Sequence, residues 1–167
     1  SGGDGEIYFS YALQGEAMDG SDRAQCNFRL NAGASGAQVF VRFYPWRAEM
    51  YARTSSAGAW QFLDADEAVD SSAETQYDVR IAFDGDDVTV WRAERGVSVY
   101  EKVLETGACP VGTGGNSVAF HMAGGTTRYD DIRLWIAGVS NTTTFECNAA
   151  NELTKMHDPY GGETTFT

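Results

Sequence analysis

The 22 residues TQYDVRIAFDGDDVTVWRAERG, Thr75 to Gly96, limit most tightly what this chain forms. Tyr77, Val79, Ile81 and Phe83 fall on one side of an extended backbone, Asp84-Gly85-Asp86 turns it, and Val88 and Val90 return on the same side. An Asp-Gly between two alternating segments is a hairpin signal, because glycine relieves the backbone demand of a tight turn.

The same two-residue rhythm runs through most of the chain. Ile7, Phe9, Tyr11 and Leu13 alternate with smaller or polar residues. Cys26, Phe28 and Leu30 alternate with Gln25, Asn27, Arg29 and Asn31. Val39, Val41 and Phe43 oppose Phe40, Arg42 and Tyr44, and Ala48, Met50 and Ala52 oppose Glu49, Tyr51 and Arg53. Residues 54–75 are looser, with one short strand expected at Trp60–Asp64. VSVYEKVLE is expected as a strand from Val97 to Glu105. Val118, Phe120 and Met122 are expected inward on the next, and Ile132, Leu134 and Ile136 on the one after. Side chains of a strand alternate between faces, so each segment predicts a half-buried strand. About ten such strands with no helical spacing between them predict an all-β antiparallel sandwich or barrel.

With 43% hydrophobic and 13% aromatic residues, the chain can bury enough apolar surface to order itself. Its net charge of −12 disfavours nucleic acids and anionic membranes, which need a positive field. No apolar run reaches the ~18–20 residues of a membrane span, so no membrane insertion is expected. Cys26, Cys109 and Cys147 lack metal-type spacing, and an odd count gives no disulfide framework. Cys26 reads as a small core residue, and a Cys26–Cys109 bond stays open.

The motifs NFRL, SGAQVFVRF, YDVRIAFDGDDVTVW, GNSVAFHMAGG and YDDIRLW resemble the concanavalin A-like lectin/glucanase superfamily, in its laminin-G-like and carbohydrate-binding-module part. The resemblance implies a jelly-roll β-sandwich over residues 6–137, after a linker or cloning scar at 1–5. The segment TFECNAANELTKMHDPYGGETTFT resembles one YD (or RHS) repeat, with Glu146-Cys147-Asn148 where a Tyr-Asp pair belongs. Leu153-Thr154 and Asp158-Pro159-Tyr160-Gly161-Gly162 follow that repeat's form. Residues 138–167 are therefore expected to be a linker and a partial repeat, forming a short C-terminal β extension. A single repeat cannot bury its own face, so the chain is expected to be a fragment of a larger bacterial protein, extracellular or at the cell surface.

Sugar rings present an apolar C–H face and a hydroxyl rim, which call for a flat exposed aromatic beside planar polar groups. The outward sets Gln25, Asn27, Arg29; Phe40, Arg42, Tyr44; and Glu49, Tyr51, Arg53 supply both, most simply on a concave face. Arg42, Tyr44, Trp46, Tyr51, Arg53, Trp60, Trp91 and His121 are the candidate carbohydrate-binding residues. For each ring taken singly, core or rim packing is the competing reading. The superfamily also implies a structural calcium, with Asp130 and Asp131 facing Asp19, Ser21 or Asp22. Asp131 alternatively caps a turn or pairs with Arg128 or Arg133. Glucanases of the superfamily carry Glu-hydrophobic-Asp-x-x-Glu, and LDADEAVD (Leu63–Asp70) does not continue that pattern. The expectation is a monomeric, non-catalytic module that binds a polysaccharide or glycan. A protein-interaction or spacer domain and a divergent glycoside hydrolase are the alternatives.

Overall fold

The computed structural model describes residues 5–14, 21–30, 36–111, 117–123, 126–136, 144–147, 153–157 and 163–165. The chain divides into two compact units, Ser1–Ile136 and Ala137–Thr167. In the first unit the strands are β1 (Gly5–Gln14), β2 (Arg23–Leu30), β3 (Gln38–Tyr44), β4 (Arg47–Arg53) and β5 (Gln61–Asp66). They continue with β6 (Tyr77–Asp84), β7 (Asp87–Glu94), β8 (Glu101–Thr106), β9 (Ser117–Ala123) and β10 (Thr126–Ile136). Two five-stranded antiparallel sheets result, ordered β10-β1-β6-β7-β8 and β5-β4-β3-β2-β9. The architecture is an all-β jelly-roll sandwich.

The alternating apolar sets fill the space between the sheets. Ile7, Phe9, Tyr11 and Leu13 of β1 and Val79, Ile81 and Phe83 of β6 meet Cys26 and Phe28 of β2, Val39, Val41 and Phe43 of β3, and Met50 of β4. Tyr11 stacks on Phe43 (centroids 5.0 Å apart) and Phe28 on Phe83 (5.9 Å), tying one sheet to the other. Burying one such side chain contributes about 1.5–3 kcal/mol, so this filling dominates the stability. Cys26 and Cys109 are buried free thiols, and burial pushes the Cys26 thiol far up.

Polar contacts close the sandwich's ends. Arg92, on the inward side of β7, is 8% exposed and lies 3.6 Å from the Tyr77 ring centre. It donates to Asp70 O (2.5 Å) and Ser71 Oγ (3.1 Å), and Ser71 N donates to Pro45 O (2.7 Å). The Tyr11 hydroxyl reaches Ser71 Oγ at 2.9 Å, and burial raises its pKa to about 12. This cluster ties the segment 67–76 across both sheets.

Three expectations shift. The strand expected at Trp60–Asp64 runs instead from Gln61 to Asp66. Residues 97–100 precede β8 rather than open it, and Val97 and Val99 stand exposed. Ile132, expected inward, is 52% exposed. Tyr8 pairs with Arg133 and Ser10 with Asp130, so Asp131 and Ile132 both oppose Phe9. This is a β-bulge, and Asp131 within it takes the left-handed conformation (φ 51°). One extra residue reverses the alternation: Tyr129 points inward before the bulge and Leu134 after it.

The second unit is a three-stranded antiparallel sheet in the order β11 (Thr144–Cys147), β12 (Leu153–His157), β13 (Glu163–Thr165). Asp158-Pro159-Tyr160-Gly161-Gly162 lies outside the described residues.

Candidate functional site

Register places the polar-aromatic residues of the second sheet in rows across its outer face. Gln25 pairs with His121 on one side and Arg42 on the other, and Arg42 pairs with Glu49. The next row runs Asn27, Phe40, Tyr51, Phe62, and beyond it Gln38 pairs with Arg53. On the other flank Tyr44 pairs with Arg47. Paired residues share a face, so β2, β3, β4, β5 and β9 display one continuous surface.

Aromatic rings form its centre. Phe40 stacks on Tyr51 (5.2 Å) and meets Trp60 edge-on (4.5 Å), and Tyr51 meets Phe62 edge-on (5.5 Å). Phe40 is 2% exposed despite pointing outward, because Tyr51, Trp60 and the Arg42 guanidinium (3.9 Å) cover it. Trp60 and Phe62 remain open, at 41% and 56% exposure. The Arg53 guanidinium sits 4.6 Å from the Trp60 ring centre.

A polar row lies alongside. Arg42 Nε donates to Gln25 Oε1 (2.7 Å), Gln25 Nε2 to Asn27 Oδ1 (2.6 Å), and Asn27 Nδ2 to Gln38 Oε1 (2.7 Å). All three amide residues are below 10% exposure. Glu49 is buried and accepts the Arg47 guanidinium at 3.0 Å.

Of the candidate residues, Arg42, Tyr51, Arg53 and Trp60 therefore gather on this face. Exposed His121 stands on β9 beside Gln25. Trp46, in the β3–β4 turn, is half exposed at the end of the face. Tyr44 belongs to the face but is not an open platform, since Arg47 (4.7 Å) and Arg23 (5.9 Å) flank its ring and leave it 5% exposed. Trp91 does not join the group. It lies on the outer side of the other sheet, with the Arg80 guanidinium 4.8 Å from its ring centre. The Arg29 side chain lies outside the described residues.

Sequence reasoning missed Arg23, Gln38, Arg47 and Phe62. Stepping by two from Gln25, Phe40 and Glu49 reaches the first three. Phe62 sits beside a register shift between Met50 and Tyr51, which conceals its side.

The acidic residues are engaged elsewhere. Asp64 accepts Ala65 N (2.9 Å) on one oxygen and Glu105 N (2.7 Å) on the other, linking edge strands β5 and β8. Asp66 accepts Ala68 N at 2.8 Å. For the calcium expectation, Asp131 pairs with Arg95, an alternative partner to Arg128 or Arg133, and Asp130 accepts the Asp131 N–H. Asp22 adjoins Arg23, whose carbonyl accepts the Thr127 hydroxyl at 3.3 Å. Four residue steps along β10, about 13 Å, separate Thr127 from Asp131. Among the described residues no three His, Cys, Asp or Glu cluster to hold a metal, and Asp19 lies outside them. The described acids do not fit a calcium cage.

No family model matches the sequence, and no curated protein does. Solved structures share the fold. Sheep galectin-11, in complex with glycerol, aligns with a TM-score of 0.57 at 8% identity, over 79% of this chain and 90% of its own. The carbohydrate-binding module CBM66 from Bacillus subtilis aligns at 0.53 and 12% identity, over 80% and 75%. The exoplasmic/lumenal domain of VIP36, in a Ca2+/Man3GlcNAc-bound form, aligns at 0.53 and 14% identity, over 83% and 72%. At such identities the likeness is one of fold, and that fold is the antiparallel jelly-roll β-sandwich.

Proposed function

We propose that residues 6–137 are a non-catalytic carbohydrate-binding module whose site is the outer face of the β5-β4-β3-β2-β9 sheet. One observation carries the reading: Trp60 and Phe62 stand open beside Tyr51 and Phe40, with Arg42, Arg53 and a row of amides alongside. An exposed ring takes the C–H face of a sugar, and guanidinium and amide groups take its hydroxyl rim. Structural neighbours include a carbohydrate-binding module and a domain bound to Man3GlcNAc, which supports the same reading.

Hydrolysis needs two carboxyls about the scissile bond. Among the described outward residues of β2 to β5, Glu49 is the acid present, and Arg47 holds it. The C-terminal unit fits the first repeat of a YD array. Leu153-Thr154 opens β12, and Asp158-Pro159-Tyr160-Gly161-Gly162 separates it from β13. In that setting the module holds a large extracellular bacterial protein to a glycan-coated surface, and repeated weak contacts add as avidity.

Affinity electrophoresis across polysaccharide gels tests the site. Removing both open rings, Trp60→Ala with Phe62→Ala, is expected to weaken retention by about tenfold or more. Trp91→Ala, on the other sheet, leaves retention unchanged. Retention that survives loss of both rings rejects this face. Retention on no glycan, with a protein ligand that requires the same rings, favours the interaction-domain alternative.

A further inference from the structure

The glycan reading leaves the class of sugar open, and the polar row narrows it. Its links are Arg42–Gln25, Gln25–Asn27, Asn27–Gln38 and Gln38–Arg53. Guanidinium donors stand at both ends, and the three amides between them turn an oxygen to one neighbour and a nitrogen to the other. Four links therefore share three acceptors. With Gln38 Oε1 toward Asn27, its nitrogen faces Arg53. With the Gln38 amide turned, its oxygen accepts from Arg53 at 2.5 and 2.9 Å, and its nitrogen meets Asn27 Nδ2 at 2.7 Å. Turning Asn27 or Gln25 as well only moves the donor–donor contact along the row. Such a mismatch is costly at Asn27 and Gln38, which are 6% and 8% exposed, and less so at half-buried Arg53, which also donates to Ser56 O at 3.4 Å.

Charge on the face has the same bias. Arg23, Arg42, Arg47 and Arg53 border it, and Glu49 is already paired with Arg47. This is a cationic surface on a chain of net charge −12.

Resting on the reading of this face as a glycan site, we infer that its ligand is an acidic polysaccharide of uronate residues. A uronate ring lies on Trp60 and Phe62, and its carboxylate is received by Arg53. The two oxygens supply the acceptors that the row lacks. Arg53 turns its fork to them, Gln38 keeps its oxygen toward Asn27, and the Gln38 nitrogen then donates outward to the ligand. Guanidinium and carboxylate match as bidentate planar partners.

Isothermal titration of the full 167-residue chain tests this with polygalacturonate, alginate and hyaluronan, each beside its carboxyl-reduced, neutral counterpart. At least one uronate polymer is expected to bind about tenfold or more tighter than its reduced form, with affinity falling as salt rises. Arg53→Gln, which retains hydrogen-bonding capacity without the charge, is expected to erase that difference. The reduced polymers need no variant, so the outcome does not depend on how Arg53→Gln folds. Equal affinity for charged and reduced forms, a preference that survives Arg53→Gln, or stronger binding to dextran sulfate overturns the inference. Binding to neutral glycans alone overturns it while sparing the glycan site. Binding to no polysaccharide removes both.

Discussion

The two sheets present outer faces built on opposite principles. On the β10-β1-β6-β7-β8 sheet, charges meet opposite charges: Glu6 with Arg80, Lys102 with Glu105, and Arg95 with Asp131. Its ring Trp91 lies under Arg80 and Tyr8 donates to Glu6, so these groups largely satisfy one another. Arg80 Nε, however, is buried without a partner among the described residues, and Trp135, paired with Glu6, is 51% exposed. On the β5-β4-β3-β2-β9 sheet, arginines lie on rings or against amides, and the amides run short of acceptors. Both faces are polar-aromatic in composition. A face whose charges are mostly paired has less to gain from a ligand than one whose open rings cluster beside arginines and amides. The difference points to where binding energy is available.

The largest test of that contrast is structural. Phe40 points out of the sandwich yet is as buried as a core residue, since Tyr51, Trp60 and Arg42 enclose it. Phe40→Ala is expected to lower stability by about 3 kcal/mol, near the low end for truncating a buried phenylalanine. Trp91→Ala, half-buried under one guanidinium, is expected to lose about 1 kcal/mol. Urea midpoints compare the two directly. Equal losses would mean that the aromatic cluster is no more consolidated than an ordinary sheet surface.

Phe40 also marks the limit of sequence reasoning. Alternation shows that Phe40, Arg42 and Tyr44 share a side, but it cannot tell how thoroughly neighbours cover them. Burial of Phe40 and Tyr44 depends on partners from β2, β4 and the segment before β5. Trp91 shows a second limit. Period two sorts the faces of one strand, and says nothing of which sheet the strand joins. The fold was legible because the apolar sets Ile7 to Leu13, Val39 to Phe43 and Tyr77 to Phe83 repeat it redundantly. A single bulge was not, because Asp131 carries no local signal that it will take a positive φ. The amide row needed register as well, since Gln38 reaches Asn27 across two strands.

A middle-sized effect isolates the acceptor shortage. Gln38→Glu places a carboxylate where a mismatched amide stands. Both oxygens accept, so Asn27 Nδ2 and the Arg53 fork are satisfied together. Removing a buried polar residue's amide for a charge would ordinarily destabilise, so a gain is diagnostic. The expected gain is about 1 kcal/mol, one charge-assisted hydrogen bond less partial desolvation. Thermal unfolding at neutral pH measures it. Loss of stability in Gln38→Glu would show that the row already has its acceptors, and the contrast between the faces would narrow to aromatic exposure.

The smallest effect belongs to the charge-paired face and depends on pH. Arg80 and the Tyr8 hydroxyl both hold the Glu6 carboxylate, lowering its pKa from 4.5 against a smaller opposing effect of burial. A depressed carboxylate pKa contributes stability that is present above the unfolded value. That contribution is lost as pH falls from 4.5 through the lower folded value. With side chains 38% and 26% exposed, solvent screens the pair to about 0.5 kcal/mol. Glu6→Gln is therefore expected to unfold about 0.5 kcal/mol more easily at pH 7 and to match the wild type near pH 3, in parallel urea titrations. A deficit that persists unchanged at pH 3 would assign the loss to packing at the start of β1 rather than to charge compensation. In that case the charge-paired face would owe its order to its rings, as the open face does.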